Sequence, residues 1–304
     1  MNGLLSLFAD NILPILIVAA VGFALQRTFH LDPAPLSKAA FYAFTPALVF
    51  NLLLRTTIDL TQVMQMTAFS ACTILVMIIV SWLASRLLRL DRLTTSALIL
   101  TVAFMNSGNY GLSVNKLALG DQGLAWASLF FIASSICLNS LGVYTAGAGR
   151  ASWQQALIGL LKVPALYAIP AALLLRSASP ILPTAIQAPV DIMAAAAIPT
   201  LLIFMGAKIA QAGSLNRWRL LAAAAALRLV ISPLLASIAA PLFGIQGIAR
   251  QAGILEAGMP TAVLASVVAM EFDVHPEFVT GAVLATTLLS PLTLTPLIAL
   301  LGIR

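Results

Sequence analysis

The chain has 304 residues, 61% of them hydrophobic and 9% charged, with a net charge of +6 and a mean hydropathy of +1.03. Soluble domains carry about 25% charged residues, so this composition excludes an ordinary water-soluble fold. The apolar residues come in blocks of roughly 17–26, long enough to cross about 30 Å of hydrocarbon as helix, and not in the ten-residue alternating segments of an outer-membrane barrel.

In chain order, the stretches between charge knots predict ten transmembrane helices, near 8–27, 36–54, 63–85, 94–118, 123–146, 155–175, 185–207, 218–242, 249–270 and 277–301. The first has no basic stretch before it and reads as a retained span, not a cleaved signal. The positive charge sits mostly at helix ends, where it sets topology and meets anionic lipid, so membrane lipid is the implied partner and nucleic acid is not. Ten basic residues follow odd-numbered spans (Arg27, Lys38, Arg86, Arg89, Arg92, Arg150, Lys162, Lys208, Arg217 and Arg219), and five lie on the opposite side (Arg55, Lys116, Arg176, Arg250 and Arg304). This bias places both termini outside the cytoplasm. Cys72 and Cys137 fall inside apolar blocks and read as packing residues, and His30 and His275 fall in loops without partners at metal-ligand spacing.

The halves repeat. "TPALVFNLL" from Thr45 in span two and "IPTLLIFMG" from Ile198 in span seven are offset by 153 residues, and the same offset carries Met105 in span four onto Gly258 in span nine. Five spans per half is an odd number, so the second copy inserts upside down. The chain therefore divides into repeats at 1–150 and 151–304, each with one interrupted helix. In span four the interruption is Asn106, Ser107, Gly108, Asn109, Tyr110 and Gly111; in span nine it is Gly258, Met259, Pro260 and Thr261. Glycines let the backbone leave helical geometry, and a proline removes a donor and clashes with the preceding turn, so span nine should break near 256–259. Freed backbone groups at membrane depth are tolerated only in a protein interior or beside a water-filled cavity. Half-helix N-termini suit a carboxylate, C-terminal ends suit a cation, and the Asn, Ser and Thr side chains add uncharged donors and acceptors. Tight helix packing alone would also use such residues; paired at repeat-related positions, they point to a substrate site.

Glu256 is the acid well inside a span, and an intramembrane ionisable group is a functional candidate by default. Two readings stand for it: ion coupling, or a structural ion pair with Arg228 or Lys208. Arg228 interrupts span eight and either attracts an anionic substrate or neutralises Glu256. Asn51 in span two faces the cavity from the other side or bonds a neighbouring helix.

"NSGNYGLSV" resembles the Gly-Asn-x-Gly-hydrophobic-Gly-Leu-Pro-Val stretch of the auxin efflux carrier family, and "IPTLLIFMGAKIA" and "MPTAVLASVVAMEFDVHPEFVTGAVLATTLLSPLTLTPL" are similar to its seventh span and its last two. The resemblance implies an all-α membrane fold in which broken helices four and nine cross at the midplane. It also implies a scaffold of spans one, two, six and seven, a mobile transport unit of the other six, and an organic anion as cargo. Ser113 stands where the family has Pro, so the break in span four rests on glycines alone, and Glu256 stands where relatives often carry Gln. "LEAGMPTAVLA" also resembles the bile acid–sodium symporters, in which such a Glu helps bind sodium. The expectation is a secondary carrier of a small mono- or dicarboxylate, elevator-like, with no cofactor beyond Na+ or H+ as coupling ion and with a homodimer left open. The alternatives are a sodium-coupled symporter of larger amphipathic anions or an anion channel. An intramembrane protease is disfavoured: no span holds a convincing Asp pair, no His lies in a span, and no H-E-x-x-H occurs.

Overall fold

The computed structural model describes residues 2–147, 163–177, 182–211 and 217–303. The described residues are helical apart from short connections and one isolated bridge. In chain order the helices are α1 (Asn2–Asn11) and α2 (Leu13–Phe29), bent by 42° against each other, then α3 (Ala34–Arg55), α4 (Leu60–Leu87) and α5 (Arg92–Ala103). They continue with α6 (Ser107–Ala146), α7 (Ala165–Ser177), α8 (Thr184–Ala210), α9 (Trp218–Phe243), α10 (Gly247–Ala257), α11 (Val263–Glu271) and α12 (Pro276–Leu300). Six of these are long and apolar enough to cross a membrane, seven if α1 and α2 count as one bent span.

The sequence expects ten spans, and three features account for the smaller count. The expected spans four and nine are each cut into pieces shorter than a bilayer: α5 stops at Ala103 and α10 at Ala257. Spans four and five run together in the 40 residues of α6, which turns at Gly120, where φ is 66° and ψ is −156°. Most of the first half of expected span six, 155–162, lies outside the described residues, as do Arg150, Lys162 and Arg304.

Local chemistry fixes the helix ends. Asp59 and Gln62 form a reciprocal capping box at the start of α4, with bonds of 2.8 and 3.0 Å. Asp91 caps α5 through Thr94 N–H, and that bond, with a second from the Thr94 hydroxyl, holds its carboxyl below the usual carboxylate range. Arg176 of α7 caps α3, donating to the carbonyls of Leu53 (3.3 Å), Thr56 (2.5 Å) and Ile58 (2.6 Å). Inside α3 and α9 a π-helical turn, at Ala40–Phe44 and Leu227–Ile231, ends one residue ahead of Thr45–Pro46 and Ser232–Pro233 respectively. A widened turn is a direct way to absorb a proline that cannot donate and that crowds the carbonyl four residues back.

The packing is that of a protein with lipid outside. Helix α4 exposes Leu75, Ile79 and Leu83, one turn apart, and turns Ser70, Thr73, Ser81 and Ser85 inward. An apolar outer stripe over a partly polar inner face reverses the pattern of a soluble helix. The inward hydroxyls are satisfied locally, as Thr73 donates to Phe69 O (2.9 Å), or across helices, as Ser70 donates to Phe130 O (3.1 Å). Helices α2 and α8 touch backbone to backbone at Gly22 and Gly206, the small-residue contact that membrane helices favour.

The connections fall into two groups. The end of α3, the start of α4 and the turn beyond Gly120 line one cleft of about 410 Å³. Thr94, Arg217 and His275 meet at the far end of α4, where His275 Nε2 lies 3.1 Å and Arg217 Nη1 3.3 Å from Thr94 Oγ1. The 28 residues of α4 separate the groups by about 42 Å.

Candidate functional site: the meeting of two interrupted helices

Between α5 and α6 the backbone leaves the helix at Phe104–Asn106, extended at Phe104, and between α10 and α11 it is irregular from Gly258 to Ala262. These strips lie antiparallel. Asn106 N–H donates to Pro260 O (2.7 Å), Ala262 N–H donates to Phe104 O (2.9 Å), and Met105 bridges Thr261. Further groups of the break find partners nearby, as buried backbone requires. Thr261 N–H donates to Thr286 Oγ1 (3.0 Å), and the Thr261 hydroxyl donates to Thr101 O (2.8 Å), in the last turn of α5. Gly258 and Met259 N–H groups return to the end of α10, and Pro260 has no donor to satisfy.

Helix resumes at Ser107 as a π-helical turn, Ser107–Gly111, whose first bonds run from Tyr110 N–H (3.2 Å) and Gly111 N–H (3.0 Å) to Asn106 O. The span-four break thus precedes Gly108 and does not fall on it. Gly108 is needed for proximity: a Cβ there would lie 2.6 Å from the Phe131 ring. Ser113, in the family's proline position, sits within regular helix and donates to Asn109 O (3.2 Å).

The start of α6 and the start of α11 converge on a cavity of about 30 Å³, room for water but not for a larger solute. Of the sequence-predicted residues, Asn106, Ser107, Gly108 and Asn109 line it. Tyr110, Gly258, Met259, Pro260 and Thr261 do not: they frame it, with Tyr110 Oη accepting from Ser290 Oγ at 3.2 Å. Phe131, Ser134 and Ser135 also line it, and no motif in the sequence marked them; Val263, within the quoted span-nine stretch, lines it too. The Asn106 amide reaches Met205 Sδ of α8 (3.4 Å), whereas the Asn109 amide has no hydrogen-bond partner among the described residues. Asn51 lies elsewhere: it accepts from Gln187 of α8 (3.2 Å) and lines the 410 Å³ cleft beside Arg55, which pairs with Asp191 at 2.6 Å.

Glu256 is fully buried one residue before the end of α10. Its Oε1 accepts from Asn115 Nδ2 (2.9 Å), and the carboxylate lies against Gly111, where a Cβ would stand 2.3 Å from Oε2 and 2.5 Å from Oε1. Oε2 has no partner within hydrogen-bond geometry, nor do the neighbouring oxygens Ser107 Oγ and Asn115 Oδ1. Neither Arg228 nor Lys208 pairs with it: among the described residues the ion pairs are Arg55–Asp191 and Lys116–Asp121, and Lys208 bonds Gln211. Arg228, also fully buried, instead donates to backbone carbonyls.

An all-helical membrane protein whose two interrupted helices pair through their backbones, beside two buried ionisable side chains that form no ion pair among the described residues, has the build of a solute transporter. The chain belongs to the auxin efflux carrier family: the sequence profile described as "Membrane transport protein" matches residues 7–298. It is also 25% identical over 292 residues to a protein of Methanothermobacter thermautotrophicus (strain Delta H) described as "Uncharacterized transporter", covering 94% of this chain and 95% of that one.

Proposed function

We propose that this protein is a secondary carrier that moves a small organic anion, a mono- or dicarboxylate, across the bacterial inner membrane by alternating access. In this reading the chain makes ten spans in two inverted halves, 1–150 and 151–304, with both termini outside the cytoplasm. Spans one, two, six and seven are the scaffold and the other six move against it.

The observation that carries the reading is the pairing of Met105 with Thr261, which sets two half-helix starts, Ser107 and Val263, on one cavity. Helix N-termini carry partial positive charge and free N–H groups, the natural seat of a carboxylate. The unpartnered Asn109 amide and the hydroxyls of Ser134 and Ser135 would replace further hydration of the anion. At about 30 Å³ the cavity is closed to such an ion, so binding requires the transport unit to shift. The cleft between the end of α3, with Asn51 and Arg55, and Asp121–Trp126 is the place for that movement to open. Glu256, Ser107 and Asn115 offer three unpartnered buried oxygens to a coupling Na+ or H+.

The test is thermal unfolding of purified protein against malate, malonate, succinate and aromatic acids, with and without Na+, followed by uptake into proteoliposomes. A carboxylate should stabilise the wild type, and neither Asn109→Ala nor Pro260→Ala should respond to it or transport it. Loss of one hydrogen bond to a charged ligand lowers apparent affinity by about tenfold or more. Wild-type uptake by both variants would remove the site from the crossing. A flat response to every carboxylate would favour a larger amphipathic anion, and uptake indifferent to both gradients would remove Glu256 from coupling.

A further inference from the structure

Arg228 is the largest of the fully buried side chains, in the middle of a membrane helix, with no acid paired to it among the described residues. A guanidinium in such a place needs a reason. Its bonds supply one. Nη1 donates to Val102 O at 2.7 Å, and Nη2 donates to Ala257 O and to Ser232 Oγ, which in turn donates to Ala257 O at 2.8 Å. Val102 is the second-last residue of α5, and Ala257 is the last of α10. The cation therefore bridges the C-terminal ends of both interrupted helices.

Those ends are where the last carbonyls of a helix lack intrahelical partners and where the macrodipole concentrates about half a negative charge. Two such ends converge here inside the protein. Thr261 takes Thr101 O, Ala262 N–H takes Phe104 O, and Gly258 and Met259 N–H groups take carbonyls of α10. Val102 O and Ala257 O accept from Arg228 instead. A planar fork suits two diverging acceptors better than a lysine ammonium, which is a single point of charge. The π-helical turn Leu227–Ile231, set by Pro233, carries Arg228 at this level, and Ser232 on the next turn completes the bridge.

We infer that Arg228 is a built-in counter-cation of the crossing: its guanidinium fills the seat that two facing helix C-termini would otherwise offer to a free cation. This end of the crossing is thus held without an ion from solution, and any coupling ion acts at the Glu256 side. Arg228 is a positioning residue, holding the two breaks in register. The inference rests on the transporter reading only where uptake is measured; the binding of a cation at the two helix ends stands apart from it.

Chemical replacement of the side chain is the test. Full-length wild type, Arg228→Ala and Arg228→Met are purified in detergent, and thermal unfolding is followed against millimolar guanidinium chloride, with choline chloride and urea as controls. Arg228→Ala should melt roughly 10 °C below wild type, as expected when a buried charge network loses its centre. Guanidinium, but neither choline nor urea, should restore much of that shift saturably in Arg228→Ala while leaving wild type and Arg228→Met unmoved. Melting of Arg228→Met at the wild-type temperature overturns the inference, and so does an equal guanidinium response in wild type and Arg228→Ala. If Arg228→Ala does not survive purification, Arg228→Lys takes its place. It should melt between wild type and Arg228→Met, and equality with Arg228→Met overturns the role of the charge. Wild type that fails to transport any anion sinks the carrier reading, while the melting comparison still decides Arg228.

Discussion

Replacing Gly206 by alanine is expected to destabilise the protein more than a methyl added at any other glycine whose surroundings are described. The added Cβ would lie 1.8 Å from Ala19 O, 2.7 Å from Ala19 C and 2.9 Å from Phe23 N. All three are backbone atoms of α2, so no side chain can turn aside. Helices α2 and α8 would have to separate by more than an ångström along a contact in which Gly22, on the other side, has a potential Cβ only 2.1 Å from Ile203 O. Overpacking a close-packed contact costs about 1–3 kcal/mol where side chains can adjust, and here they cannot. A fall in melting temperature of roughly 10 °C, with poor recovery from the membrane, is the expected outcome. Gly3→Ala is the control, because nothing lies within 4 Å of its added methyl. If Gly206→Ala melts with Gly3→Ala and wild type, the close approach of α2 and α8 is wrong.

The contrast between what could and could not be read from the chain follows from the range of each interaction. Interruptions are local. Gly108, Gly111 and Pro260 announce themselves inside apolar runs because their backbone chemistry acts on the nearest turn, and the breaks lie within a few residues of them, at Phe104–Asn106 and Gly258–Ala262. The membrane character was legible for the same reason: block length and hydropathy are one-dimensional properties. Partnership is not local. Arg228 finds its two distant acceptors 126 residues upstream and 29 downstream, and both are carbonyls, which carry no residue identity for a reader to notice. Reasoning from side-chain charge alone therefore pointed to Glu256, whereas backbone dipoles hold the guanidinium. Asn115 bonds Glu256 from 141 residues away and had no motif to mark it. Asn51 was singled out for polarity inside a span, yet its partner is Gln187, toward the cleft and away from the crossing. The π-helical turns before Pro46 and Pro233 escaped because a proline in a helix signals strain without saying whether the chain will kink, break or widen.

Gly111→Ala is expected to leave a folded protein that has lost its function. The new methyl would stand 2.3 Å from Glu256 Oε2 and 2.5 Å from Oε1. Unlike the contact at Gly206, the obstacle is the far end of a side chain, so the carboxylate moves and the helices stay. Moving it breaks the 2.9 Å bond from Asn115 Nδ2 and scatters the three unpartnered oxygens of Glu256, Ser107 and Asn115. The melting temperature should drop by only a few degrees, because one hydrogen bond to a charged group contributes about 1.5–3 kcal/mol and part of it is recovered elsewhere. Uptake, and any dependence on the Na+ or proton gradient, should fall by at least about tenfold, to the level of Glu256→Ala. The double variant separates the two effects. With the carboxylate gone, the three atoms nearest the methyl at 111 are gone too, so Gly111→Ala should add nothing to the defect of Glu256→Ala, a coupling that residues in contact show and distant ones do not. Full additivity in uptake would mean that Gly111 acts through the helix backbone and not through Glu256. Normal gradient-driven uptake in Gly111→Ala would show that the carboxylate can move without consequence, and Glu256 would then be a buried structural group and no part of the transport cycle.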